Sequence, residues 1–290
     1  GELSYNDIEF KDFKVALNYK NGIFKVLEIR NNLLTIKGDY NIINKTLDFD
    51  YKIRGIKENK IKLLEKYGVK INLEEVDGSL KGELEDFKIN FSSLNTWVQY
   101  NNLPKIYLKG KIQFYNQNIY FKGFKIGENN LGGYYNIFSK EFKFKINLLE
   151  NNLAEYYGDI NLKYRLTGEV ILWGTPDSIN GIFNNFADNI YLRGIKLPNI
   201  KLISTYKGGS LDKLNKSGSV DINDIRIYSD KGDRLLGGEG WINFNKNKLS
   251  FKIKDVLDIE KLKEYSKSQD ISGKLNTDIT IDGLFNNLKY

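Results

Sequence analysis

The clearest pattern along the chain lies between Gly38 and Ile53, which reads G-D-Y-N-I-I-N-K-T-L-D-F-D-Y-K-I. Its second half alternates without error. Leu47, Phe49, Tyr51 and Ile53 fall on one side; Asp48, Asp50 and Lys52 fall on the other. Period two with one apolar side predicts a half-buried β-strand. The pattern recurs twice. Gly133 opens a second copy with Phe142, Phe144, Ile146 and Leu148 on one face, and Gly240 opens a third with Leu249, Phe251 and Ile253. The spacings are 133 − 38 = 95 and 240 − 133 = 107 residues. A repeat this long predicts modules of several strands each, not a short solenoid rung.

The same alternation runs through most of the chain. Residues 5–19 predict one or two strands with a slip at Lys11–Asp12 of the kind a bulge produces. Asn21-Gly22, Asn31-Asn32, Asp77-Gly78 and Asn116 to Asn118 read as turns between strands. Gly110, inside an alternating run, predicts a bend or bulge. Four stretches break the period. Residues 57–67, 149–157 and 258–266 predict short helices. Thr175-Pro176-Asp177 begins the strongest helical signal: a cap, a proline suited to the first position and an acid at the positive end. Ile179, Ile182, Phe183, Phe186, Ala187 and Ile190 then share one helical face, as in a helix that plugs the end of a β-core.

Ile195–Gly209 echoes Ile8–Gly22 at a constant offset of 195 − 8 = 187 residues. G-L-F-N-N-L at 283–288 echoes G-I-F-N-N-F at 181–186. The predicted organisation is one elongated β domain with modules at about 1–95, 96–190 and 191–290, a slice of a longer chain that breaks off inside a fourth module.

Composition adds to this picture mainly by exclusion. Hydrophobic residues make up 41%, enough for a core, and 19 Tyr with 17 Phe favour strands. The chain has no Cys, His or Met, which argues against a disulfide scaffold or a structural zinc site. No run of about 18 apolar residues predicts a spanning helix. The net charge of +7 is spread as both signs along the strands, the pattern of a solvated face rather than a phosphate-binding one.

Little in the sequence points to catalysis. The commonest general base and the thiol nucleophile are both missing. Asp48 and Asp50 lie on the wet side of a strand. Asp230-Lys231-Gly232-Asp233 lacks the ligand pattern of a calcium loop and reads as a turn. Gly208-Gly209 and Gly237-Gly238 precede no predicted helix, unlike phosphate loops. Asn44-Lys45-Thr46 is a glycosylation sequon by chance in an Asn-rich chain. The F-K-F-K run at 142–145 suggests stacking on nucleic acid only until strand geometry puts rings and ammonium groups on opposite faces. No cofactor and no nucleic-acid partner is expected, and the chain does not read as an enzyme.

What remains is a problem of surfaces. Many strands carry one apolar face, and few helices are predicted to cover them. Such a sheet must fold over itself, pack as a sandwich or hold an apolar ligand. Covering each inward side chain contributes ~1.5–3 kcal/mol.

The G-x-Y/W-x-N units with their alternating apolar tails, the run G-E-V-I-L-W-G-T-P-D-S-I-N-G at Gly168–Gly181 and K-L-P-N-I-K-L at 196–202 resemble the AsmA/TamB family of envelope proteins of double-membraned bacteria. The likeness covers nearly the whole chain, although this chain is richer in Lys and Asn. It implies an all-β fold with a few short helices: a long antiparallel sheet folded into a U-shaped trough, the β-taco, with an apolar lining. It further implies a periplasmic bridge for phospholipid transport between inner and outer membranes. An outer-membrane β-barrel partner would engage through the rest of the chain. Acyl chains would lie against the three apolar sets named above. The alternative is a structural or adhesive surface protein, a β-sandwich or solenoid with a packed core and no ligand.

Overall fold

The computed structural model of the protein describes residues 3–5, 8–10, 12–56, 69–100, 105–151, 162–210, 217–263, 265, 272–284 and 287–289. Over these residues the protein is all-β. It divides into two compact units, Gly1–Phe138 and Ser139–Tyr290.

In the first unit, β1 (Leu3–Tyr5) and β2 (Ile8–Phe10) form a small two-stranded ladder of their own. Asp12 takes a left-handed conformation, φ 58°, between them and the next strand. The slip in period there is thus a break between two ladders, not a bulge within one strand. The main sheet is an antiparallel meander: β3 (Lys14–Lys20), β4 (Ile23–Arg30), β5 (Leu34–Asn41), β6 (Thr46–Ile56), β7 (Val69–Glu83), β8 (Asp86–Tyr100), β9 (Ile106–Tyr115), β10 (Asn118–Ile126) and β11 (Asn129–Asn136). Asn21-Gly22 turns as its sequence predicts, with φ of 52° and 79°, and Asn116-Gln117 follows with 45° and 62°. Two successive residues at positive φ give the turn whose twist matches that of the strands it joins.

The second unit continues in the same manner. It holds β12 (Phe142–Asn151), β13 (Leu162–Thr175), β14 (Ser178–Leu192), β15 (Ile195–Lys196), β16 (Asn199–Gly209), β17 (Ser219–Tyr228), β18 (Arg234–Asn243), β19 (Lys248–Asp258), β20 (Lys274–Leu284) and β21 (Asn287–Lys289). Each strand pairs antiparallel with the next, except that β14 pairs with both the two-residue β15 and β16.

The strongest helical signal is overturned. Residues 176–190 do not form a helix that plugs a core; Ser178 to Leu192 are strand β14. Thr175 pairs directly with Ser178, so Pro176-Asp177 is a two-residue hairpin turn. The fixed φ of proline suits the first turn position as well as it suits a first helical one. Ile179, Gly181, Phe183, Asn185 and Ala187 also satisfy period two. The segment contains Gly181 and Asn180, Asn184, Asn185 and Asn189, all weak helix formers. Ladders on both sides, to β13 and β16, then decide the matter.

The other expected helices fare variously. Residues 57–67 lie outside the described residues. Leu149–Asn151 end strand β12, and the rest of 149–157 is likewise undescribed. In 258–266 the described helical part is one 3-10 turn, Ile259–Leu262, whose cap Asp258 accepts a hydrogen bond from the Glu260 amide at 3.2 Å. Asp77-Gly78 is no turn either. It sits inside β7, and the chain reverses at Leu84-Glu85. Gly110 lies in β9 at φ 146°, beside bulges in both neighbours: Phe91 to Leu94 in β8 and Lys122 to Lys125 in β10.

Candidate functional site: the apolar face of the sheet

The first expected set, Leu47, Phe49, Tyr51 and Ile53, lies on one face of β6, and every member is half-buried. Register extends that face across the unit. Phe49 is flanked by Gly38 and Leu80, then Ile89, Phe114 and Ile119 in strand order. Ile53 pairs with Val76, and past the bulge in β10 Phe124 pairs with Leu131. These last three are buried, with 2%, 3% and 8% of their surface exposed.

The second set, Phe142, Phe144, Ile146 and Leu148 on β12, and the third, Leu249, Phe251 and Ile253 on β19, are half-buried too. Both belong to the second unit, and its register puts them in common rows. One row runs from Ile146 through Val170, Phe183, Ser204 and Ile222 to Gly240 and Phe251. The Phe142 and Phe144 rings stack with centroids 5.4 Å apart. Polar side chains interrupt this wall, Ser204 and Asn185 among them. Ser204 is buried, and Asn185 has a buried Oδ1 with no hydrogen-bond partner.

Glycines are the part of this face that alternation does not reveal. Gly38 pairs with Phe49 and Gly240 with Phe251. In each case a Cβ would stand 2.8 Å from the phenyl Cδ1, so the ring occupies the glycine's missing side chain. Gly38 also holds φ 146°, extended but of the hand that only glycine adopts readily. Tyrosine does the same twice. The Tyr51 ring covers Gly78, and its hydroxyl donates to the Asn90 carbonyl at 3.1 Å. Tyr206 covers Gly209 and donates to the Ser217 carbonyl at 2.9 Å. Burial pushes the Tyr51 hydroxyl up to about 12, and raises Tyr206 as well.

In the first and third copies the repeated stretch thus encodes a hairpin, β5–β6 and β18–β19. Its shared asparagine caps the turn: the Asn41 Oδ1 accepts from the Ile43 and Asn44 amides at 3.0 Å, Asn136 from Phe138 at 3.0 Å and Asn243 from Lys246 at 2.9 Å. Residues Lys45, Lys140 and Asn247, near the end of each turn, take φ of 54°, 59° and 50°.

The opposite face is charged. Lys52 lies between Glu75 and Asp77, Arg54 bonds Glu75 at 2.9 Å and Lys81 bonds Asp48 at 2.8 Å. Hydrogen bonds from Lys52 and Arg54 hold Glu75 below the usual carboxylate range. Further along, Lys122 donates to Gln113, Gln113 to Asn90 and Asn90 to Ser79, at 3.2, 2.7 and 3.3 Å. This chain of bonds crosses four strands. Two open clefts, of about 350 and 340 Å³, draw mainly on such charged side chains: Lys37, Asp50, Lys52 and Asp77 in one, Arg234, Glu239, Lys252 and Lys254 in the other. Asp230–Asp233 is a turn, closed by the Ser229 amide on the Asp233 carbonyl at 2.8 Å. Among the described residues no group of three or more acidic side chains converges to hold a metal ion, and no helix is long and apolar enough to cross a membrane.

Comparison with known proteins found no matching family model, no matching curated protein and no matching solved structure.

Proposed function

We propose that the chain handles lipid, as its likeness to AsmA/TamB proteins implies: a stretch of a periplasmic bridge that carries phospholipid between inner and outer membranes, with any outer-membrane barrel partner met by the remainder of the protein. In this reading the sheet curves into a trough of tandem modules. Acyl chains lie on the apolar rows while head groups stay in water, and the movement is passive. The supporting observation is that the Phe49 row and the row from Ile146 to Phe251 cross many strands, the first half-buried throughout and the second half-buried at Ile146, Phe183 and Phe251, while Val170, Ser204 and Ile222 within it are buried. A half-covered side chain of this size stands to gain roughly 1 kcal/mol more when a hydrocarbon chain completes its burial.

Mass spectrometry of organic extracts of the purified protein is expected to find phospholipid. A photoreactive residue at Phe49 or Phe251 is expected to crosslink to it, while one at Asp50 or Lys252, on the wet face, is not. Extracts without lipid, or equal labelling from both faces, would sink the proposal. The buried side chains Val76, Phe124 and Leu131 favour the second reading, a structural or adhesive protein with a packed core. That reading expects lipid-free extracts and a protein unchanged by lipid addition.

A further inference from the structure

At the end of β14 the ladder to β16 stops at Ala187, and the two-residue strand β15 takes over. Leu192 pairs with Ile195 and Tyr191 with Lys196 around an Arg193-Gly194 turn at φ 51° and 79°. On the far side Leu162 stands opposite Leu192, and Lys163 opposite Tyr191. The register therefore sorts the hairpin into two sides. Leu162, Leu192 and Ile195 share one; Lys163, Tyr191 and Lys196 share the other, with Arg193 at the tip.

The apolar members are open to solvent. Ile195 is 65% exposed, Leu192 43% and Tyr191 37%. The charge around them is positive. Residues 162–165 and 188–196 hold Lys163, Arg165, Arg193 and Lys196 against the single acid Asp188. Asp188 is held by Arg165 Nε at 2.7 Å, and Lys196 pairs with Asp230. The exposed apolar tip at Ile43 lacks this charge. Ile43, 75% exposed, lies in the turn after β5, whose Lys45 carbonyl bonds the Leu84 amide of the next turn; that turn carries Glu83, Glu85 and Asp86.

We infer that the β14–β15 hairpin docks on an anionic phospholipid surface, with Leu192 and Ile195 entering the acyl boundary and Arg193 and Lys163 meeting the head-group phosphates. Exposed apolar side chains beside basic ones are what an interfacial anchor needs, since either signal alone binds weakly. The inference is independent of lipid in the trough: a protein that co-purifies with lipid can fail to dock, and one without lipid can dock.

Flotation with vesicles tests it on the whole chain. Binding is expected to vesicles in which phosphatidylglycerol replaces part of the phosphatidylcholine, to fall with added salt, and to be weak on phosphatidylcholine alone. Arg193→Glu is expected to lower binding about tenfold or more, because each basic group near such a surface contributes ~1 kcal/mol and the reversal counts twice. Leu192→Asn with Ile195→Asn is expected to lower it about tenfold. Thermal melts show whether these surface variants fold, and Ile43→Asn, in a different turn, is expected to bind as the unaltered protein does. Absence of binding to anionic vesicles overturns the inference. So does binding that folded hairpin variants leave unchanged, or a loss caused by Ile43→Asn alone.

Discussion

Tyr51 and Tyr206 solve one problem in two settings. Each lays its ring over a glycine, Gly78 or Gly209, and sends its hydroxyl to a backbone carbonyl. Tyr51 reaches across β7 from β6, and its bond to the Asn90 carbonyl ties three strands together. Tyr206 acts close by, over a glycine of its own strand and onto the Ser217 carbonyl just before the next strand. The glycines differ in what confines them. A Cβ at Gly78 would overlap both the Tyr51 ring and the fixed Asn90 carbonyl oxygen, whereas at Gly209 the three nearest atoms all belong to the Tyr206 side chain. A side chain can swing aside; a laddered backbone cannot.

Gly78→Ala is therefore expected to have the largest effect, a loss of about 3 kcal/mol in denaturant unfolding, with no relief from Tyr51→Phe. Gly209→Ala is expected to cost about half as much. Adding Tyr206→Leu, which clears the overlap, is expected to recover part of that loss, so the double variant falls short of the sum of the singles. Equal costs at the two glycines would mean that the backbone yields as readily as a phenol.

Tyr51→Phe alone is expected to cost about 1 kcal/mol, the net worth of one hydrogen bond. Its pH signature is sharper. An ordinary tyrosine ionises near pH 10, and folded Tyr51 near 12. Below pH 10 both states stay protonated and the full stability is present. Between 10 and about 12 the unfolded chain loses the proton first, so stability falls as pH rises. Urea midpoints across this range are expected to decline less in Tyr51→Phe. The smallest effect is expected on the wet face. Glu75→Gln removes exposed pairs with Lys52 and Arg54, and salt should abolish the difference from the unaltered protein.

Much of the sheet is legible in the chain itself. Where apolar and polar residues alternate around Leu47–Ile53 or Phe142–Leu148, period two has no rival, and the faces come out as the pattern implies. Asn21-Gly22 turns because both residues tolerate positive φ. The misreadings share a cause. Thr175-Pro176-Asp177 and Asp77-Gly78 are local signals with two physical meanings each, and partners distant in sequence choose between them. Proline can open a helix or a hairpin until β13 and β16 clasp β14. Glycine can bend a strand or make room for a ring, and nothing near Gly78 in sequence announces Tyr51. The candidate face was legible as a face. Its rows were not, because register depends on bulges such as that between Phe121 and Phe124.

The asparagine-capped hairpins have one more implication. In the first and third copies, each carries its own reversal device and its own glycine–phenyl pair, so little is borrowed from elsewhere to set its register. Duplicating such a unit adds two strands at once and leaves the direction and sidedness of everything downstream unchanged, while gaining or losing a single strand would invert both. Growth by whole hairpins is the inexpensive route to a longer wall, and a gene built this way can change its reach without redesigning its lining.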